Sequence, residues 1–389
     1  MVNETFGFDF QTAQRILFGS GLAARLGALA AEFGRRALWI SISRRSFHEE
    51  LEQSLNNAGI FYQMAVVQGE PKLNQILELV NQVKTDQPQV IIATGGGSVM
   101  DCAKAVAALA VNPGDPLEYL EVIGKGKPLP VRSLPVIAVP TTAGTGSEVT
   151  RNAVITIPEH QVKVSLRSPN MLPAVALIDP SLTIGLSPEV TASTGMDALT
   201  QVIEPFVSIR ANAFTDLFCE GGIRKIARSL RTAYYDGNNL AARENMAFGS
   251  LMGGLALANA GLGAVHGFAA PLGGMFKAPH GSLCARLLPV VCRVNIQALQ
   301  KRSPNHPVLG RYRKLAGWLV GEETADLLQG VEWLEELCEE LRIPRLREYG
   351  IQKNDFTQVI ESAKKASSMK ANPIELAEDE LYWILEAAL

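Results

Sequence analysis

Histidine is scarce in this chain: His48, His160, His266, His280 and His306 are all it has in 389 residues. With so few imidazoles, any two in one motif become informative. Cysteine is equally sparse. Cys102, Cys219, Cys284, Cys292 and Cys338 show no C-x-x-C spacing, and an odd count argues against a disulfide framework and for a reducing cytoplasm. A basic excess is missing too: 36 Lys and Arg stand against 39 Asp and Glu, net −3. That balance offers no electrostatic case for nucleic acid or an anionic membrane surface as a partner. The opening MVNETFGFDF lacks the basic n-region and apolar h-region of a signal peptide, so none is expected. Internal repeats and low-complexity linkers are absent as well.

What is present is a large apolar fraction, 47% against 19% charged, which describes a globular chain with a sizeable core. At this length two domains are the expectation. One segment invites a membrane reading, because Ala247 to Phe276 contains no charged residue. It also contains eight glycines, with Asn259, His266 and Pro271. Such breakers fit a buried helix pair with close backbone approaches better than a uniform apolar rod.

Short β-branched runs at 36–43, 61–67, 90–96 and 135–140 read as strands, and helical periodicity fills 46–58, 72–86 and 98–110 between them. This alternation implies βαβ units and a mainly parallel sheet. Residues 151–167 read as an inserted hairpin with Pro-Glu-His at its turn, and AVALIDPSL (174–182) as a last strand. Beyond about residue 185 only helical patterns follow. The expected organisation is an α/β dinucleotide-binding domain over 1–183 and an all-helical domain over 184–389.

Two loops suit phosphate binding. In VIIATGGGSVMDCAKAVA three glycines and Ser98 lie between a buried strand and a helix, where backbone can approach a phosphate and the helix start offers free N–H groups. VPTTAGTGSE (139–148) leaves another strand with three threonines, two glycines and a serine. In the helical half, GAVHGFAAPLGGMFKAPHG carries two of the five histidines, His266 and His280. Upstream, TGMDALTQVIE sets Asp197 and Gln201 four apart, on one helix face. Imidazoles and a carboxylate are what Zn²⁺ or Fe²⁺ takes, and three such ligands with an open position make a Lewis acid for a carbonyl or alcohol oxygen.

Taken in order, ATGGGSVMDCAKA, PTTAGTGSEVT, GMDALTQVIEPFVS and GAVHGFAAPLGGMFKAPHG resemble the motifs of the iron-containing (group III) alcohol dehydrogenases, and the likeness spans nearly the whole chain. The resemblance implies the dehydroquinate synthase-like fold, a homodimer, and NAD(P)-dependent exchange of a hydride between a small alcohol and its aldehyde or ketone. It implies that Gly96, Gly97 and Ser98 contact the diphosphate, with Asp101 toward the nicotinamide. Thr141, Thr142 and Thr145 would line the cofactor cleft, and Lys163 would lie near the ribose and nicotinamide. Asp197, His266 and His280 match three of the family's four metal ligands and would carry the catalysis.

Three departures from the pattern stand out. Gln201 occupies the place of the family's usual second ligand, a histidine. Ala270 occupies the place of a histidine often linked to proton relay. At the end of the first strand, where NAD-using relatives carry an aspartate, the chain reads Ile42, Ser43, Arg44, Arg45. Ser43 would then face the adenosine ribose, and the arginines favour NADP over NAD. Gln201 leaves zinc, iron and a harder ion open as the metal. It also leaves open a metal-independent reductase of the maleylacetate reductase kind, and, further off, a dehydroquinate synthase-like lyase.

Overall fold

A computed structural model describes residues 7–121, 123–158 and 162–389. The strands are β1 (Arg15–Phe18), β2 (Arg36–Ser41), β3 (Phe61–Val66), β4 (Val90–Gly95), β5 (Val136–Pro140), β6 (Asn152–Ile157), β7 (Val162–Arg167) and β8 (Val175–Ile178). Six of them form one parallel sheet in the order β1-β8-β5-β4-β2-β3. Helices α1 (Leu26–Ala31), α2 (Phe47–Asn57), α3 (Leu73–Asp86) and α4 (Gly97–Leu109) cross between strands. Amphipathic spacing explains their placement: in α3, Ile76, Leu79, Val80 and Val83 recur at helical intervals and are the buried positions. β4 and β5 are buried along their whole length, as befits central strands of a sheet covered on both faces.

The expected strands all form, within a residue or two of their sequence limits, except that the last ends at Ile178, short of 182, because Pro180 opens a turn capped by Asp179. β1, the segment RILF, has no counterpart in the sequence reading; four residues are too few for alternation to stand out. It closes one sheet edge against β8. The expected hairpin is β6–β7, an antiparallel pair outside the main sheet. Of its turn, Glu159, His160 and Gln161 lie outside the described residues.

From Pro188 onward every regular element among the described residues is helical: α5 (Pro188–Val207), α6 (Ala213–Tyr235), α7 (Leu240–Ala260), α8 (Ala264–Met275), α9 (His280–Arg302), and four more, α10 to α13, between Val308 and Ala388. α5 is the axis of this half and is buried along nearly all of its length from Gly195. Ser187 starts it by accepting from the Val190 N–H at 3.3 Å, with Pro188 in the first turn. The uncharged stretch resolves as α7 and α8, which meet at a 99° bend. α9 has the length and hydropathy of a membrane span, yet 83% of its most apolar window is buried inside the protein. Both are core helices.

An apolar seam of Ala13, Val149, Ala176, Ile178, Ala247, Leu251 and Leu255 joins the sheet to α7. Contact there is close enough to demand glycine: a Cβ on Gly254 of α7 would lie 2.5 Å from the Gly146 carbonyl oxygen. The two halves are thereby held so that the threonine-rich loop abuts the helices.

Candidate active site

The strand order reverses between β2 and β4, since the chain runs outward to β3 and then returns to the far side of β2. In open α/β sheets ligands bind outside the carboxyl ends of the strands at such a switch point. Ser43 lies just beyond β2, and Gly96, Gly97 and Ser98 just beyond β4. Gly96 precedes α4 without a side-chain cap, so the first amides of that helix face outward unpartnered by side chains. The threonine loop leaves the neighbouring strand β5 and lies against the glycine loop: a Cβ on Gly96 would come 3.2 Å from Thr142 Oγ1, and one on Gly97 would come 2.6 Å from Thr145 Cγ2. Thr142 and Thr145 are half-buried, whereas Thr141 is buried, its N–H donating to the Gly95 carbonyl at 2.8 Å.

Asp101, beyond the first turn of α4, is hydrogen-bonded through both oxygens. Its Oδ1 accepts from Ser147 Oγ at 2.6 Å and its Oδ2 from the Val154 N–H at 2.9 Å. Beside it the fully buried Lys104 donates to the Ser147 carbonyl, Ser147 Oγ and Thr150 Oγ1 at 2.9, 2.7 and 3.0 Å. Together they lock α4, the threonine loop and the β6–β7 hairpin into one piece. Lys163 on β7 pairs with Glu70 at 2.6 Å. It also lies against α8, since a Cβ on Gly273 would fall 2.8 Å from its Nζ. Ser43 is exposed, and Arg44 beside it pairs with Glu52 at 2.9 Å.

On the helical side, Asp197 of α5, His266 of α8 and His280 at the start of α9 converge, and with them comes Cys284, one turn along α9. One donor atom from each of the four lies within 4.8 Å of every other. His266 Nε2 and His280 Nε2 are 3.6 and 3.9 Å from Asp197 Oδ1, and 3.8 and 3.6 Å from Cys284 Sγ. Helix packing sets these positions. A Cβ on Gly281 would lie 2.3 Å from the Ser193 carbonyl, so α9 begins in backbone contact with α5 one turn before Asp197. The first helix also touches the nucleotide side: a Cβ on Gly144 would lie 2.9 Å from Thr194 Cβ.

Glu204, seven residues after Asp197 on the same face of α5, holds His266 from behind. Its Oε2 accepts from His266 Nδ1 at 2.6 Å and its Oε1 from the Val265 N–H at 2.7 Å. A proton fixed on Nδ1 leaves the Nε2 lone pair aimed at the cluster, as metal-ligating histidines have it. Among the described residues four buried side-chain oxygens lack a hydrogen-bond partner; Thr12 Oγ1 and Ser133 Oγ lie elsewhere, and the other two, Asp197 Oδ1 and Gln201 Oε1, share this helix face. Unpartnered buried acceptors beside a thiol and two imidazoles suit a divalent cation.

The charges reinforce one another. Burial works against ionising Asp197, but His266, His280 and the Gln201 amide hold its carboxyl below the ordinary value. Burial likewise opposes charge on Cys284, yet the two imidazoles pull its thiol down. In Cys102 and Cys338 burial instead pushes the thiol up to about 12. The Cys284 sulfur in turn holds His280 above its usual value, and lifts His266 despite the desolvation of that ring. Ala270 is exposed and brings no titratable group.

Cys284 and Glu204 are the site residues that sequence reasoning missed. Both had a signal: Cys284 stands at i+4 from His280, and Glu204 at i+7 from Asp197, each on the face its partner uses.

Residues 13–180 match the family described as iron-containing alcohol dehydrogenase, and residues 191–389 its C-terminal counterpart. Over 373 residues the chain is 37% identical to a 1,3-propanediol dehydrogenase of Klebsiella pneumoniae, covering 94% of this chain and 92% of that protein. A solved 1,3-propanediol oxidoreductase superposes with a TM-score of 0.91 at 34% identity, over 98% of this chain and all of the other. A sulfoacetaldehyde reductase from Bifidobacterium kashiwanohense, solved in complex with NAD+, superposes at 0.84 with 26% identity, covering 98% of each chain. The parallel sheet followed by a helical half is the dehydroquinate synthase-like fold of these enzymes. The chain belongs to the iron-containing alcohol dehydrogenase family, and it is an alcohol dehydrogenase.

Proposed function

We propose that the protein interconverts a small alcohol and its aldehyde or ketone, using NAD(P) bound across the β2–β4 switch point and a divalent metal held by the helical half. A nicotinamide supplies the hydride donor and acceptor, and a divalent ion supplies a Lewis acid for the substrate oxygen. The amides of α4 at Gly97 and Ser98, with the Thr142 and Thr145 hydroxyls, bind the diphosphate. Asp101 and Lys104 keep those loops in register, with Asp101 toward the nicotinamide end. Asp197, His266 and His280 hold the ion, Glu204 fixes the His266 tautomer, and Gln201 contributes its unpartnered amide oxygen to the same pocket. Lys163, between the hairpin and α8, lies where the two halves meet and neutralises negative charge there. His280 is the open side of the cluster, its side chain 37% exposed where Asp197 and His266 are buried.

The observation that carries this reading is the pair of orphaned buried oxygens beside two imidazoles, one of them pre-oriented by a buried carboxylate. In a metal-independent reductase those acceptors would need another partner, since leaving a buried acceptor unsatisfied costs about 1–3 kcal/mol. The test is nicotinamide reduction with a panel of short alcohols and diols, both dinucleotides and several divalent ions, on wild type and Asp197→Ala. We expect the variant to lose turnover and keep dinucleotide binding. Full dehydrogenase activity in Asp197→Ala, or undiminished activity after chelation, refutes the assignment. Consumption of substrate without net change in the nicotinamide favours a lyase.

A further inference from the structure

Resting on the metal reading above, we propose that Cys284 is a protein ligand of that metal, giving this chain an Asp-His-His-Cys thiolate site. Three features of the structure lead there.

The first is distance. Tetrahedral coordination at usual zinc bond lengths puts N and O donors about 3.4 Å apart, and N and S donors about 3.6 Å apart. The structure has 3.6 and 3.9 Å for the imidazole-to-carboxylate pairs, and 3.8 and 3.6 Å for the imidazole-to-sulfur pairs. The sulfur therefore has the same relation to both rings as the carboxylate oxygen, and all four donor atoms lie within 4.8 Å of one another.

The second is singularity. Among the described residues Cys284 is the one cysteine whose sulfur approaches imidazole nitrogens, and it approaches two. The other four cysteines are buried without such neighbours, and Cys338 donates to the Ala285 carbonyl in the ordinary manner of a core thiol.

The third is the chemistry of the donors. Gln201 Oε1 is buried and unpartnered beside Asp197, but an amide is neutral and a poor donor to a borderline-soft ion. A thiolate is the strongest donor available in this pocket. With Asp197 it gives the ion two anionic donors. Binding releases the thiol proton to solvent and forms one metal–sulfur bond, with no change of oxidation state. The thiolate biases the site toward zinc or cobalt over harder ions, and with four protein donors a substrate oxygen would enter from the exposed side at His280 as a fifth.

The test strips the purified full-length protein with chelator and reloads it with cobalt(II) or zinc(II). Cobalt-loaded wild type should show a thiolate-to-metal charge-transfer band in the near ultraviolet. Cys284→Ser and Cys284→Ala should lose that band while keeping weaker visible bands, and their zinc affinity should fall at least tenfold. X-ray absorption of zinc-loaded wild type, which needs no variant to fold, should contain one sulfur at about 2.3 Å. A cobalt spectrum without the charge-transfer band, or a zinc shell of nitrogen and oxygen only, overturns the thiolate ligand and leaves the metal reading standing. Failure of wild type to take up either ion overturns both.

Discussion

Glu204→Gln is the most informative single change, because that carboxylate does two jobs with one oxygen each. It caps the start of α8 through the Val265 N–H and holds the Nδ1 proton of His266, while being buried itself. Glutamine has nearly the same shape. Its carbonyl keeps the Val265 bond, which turns the NH2 toward Nδ1. Two N–H groups cannot share that position, so either Nδ1–H loses its partner or the ring moves its proton to Nε2. In the second case the lone pair that faces Asp197 and Cys284 is gone. A charge-assisted bond of this kind is worth about 1.5–3 kcal/mol, and partners behind a ligand typically set 10–100-fold in metal affinity. We therefore expect zinc binding, measured by chelator competition, to weaken by roughly 10–100-fold. The ion-free protein should melt at a lower temperature, reflecting about 1–3 kcal/mol. Glu204→Leu should cost more, since the α8 cap is lost as well, by roughly 0.5–2 kcal/mol. Zinc affinity within twofold of wild type in a folded Glu204→Gln protein would show that Glu204 does not set the His266 tautomer.

Other outcomes follow from the same geometry. Burial pushes the Glu148 carboxyl up to about 7, although the nearby Lys104 and the residue's own backbone pull the other way. The folded state therefore holds a proton that the unfolded chain gives up above about 4.5, so stability falls as pH rises between those values and stays lowered above 7. Glu148→Gln should be more stable than wild type by roughly 3 kcal/mol in urea melts at pH 8 and equal to it at pH 4; equal melts at both would refute the buried, protonated carboxyl. Lys104→Met removes four polar contacts in a dry site and leaves Asp101 facing no cation, so urea melts should show a loss of about 3–5 kcal/mol. Dinucleotide affinity should weaken with it, because the same lysine ties the two phosphate-facing loops together; unchanged affinity counts against their role. Glu52→Gln frees Arg44 beside the switch point, and should raise affinity for NADP relative to NAD by up to about fivefold in fluorescence titration.

Much of the fold was legible because it obeys short periods. Alternating β-branched runs and amphipathic helices gave the parallel sheet, and the eight glycines of the 247–276 stretch distinguished a packed helix pair from a membrane span. β1 was not legible, since its strand character comes from pairing with β8, some 160 residues away. In the site, the two loops and the Asp197, His266 and His280 trio were visible as motifs of residue type. The partners of Asp101 were not legible either. It sits in the glycine-loop motif, but its hydrogen bonds to Ser147 and the Val154 amide come from the packing of the threonine loop and the hairpin.

The sequence by itself thus determined the kind of protein: a nucleotide-binding sheet, a helical half, and donors suited to a divalent ion. The tertiary structure decided the membership of the site. Cys284 looked like one of five unremarkable thiols until α9 was set against α5 through Gly281, which brought its sulfur to within 3.6 and 3.8 Å of two imidazoles. Glu204 looked like one more helical acid until α8 started directly over it. The physical reason is range. Periodicity and motif spacing report interactions within a turn or a strand, whereas a ligand set is fixed by the docking of three helices, to which no local stretch of sequence gives access.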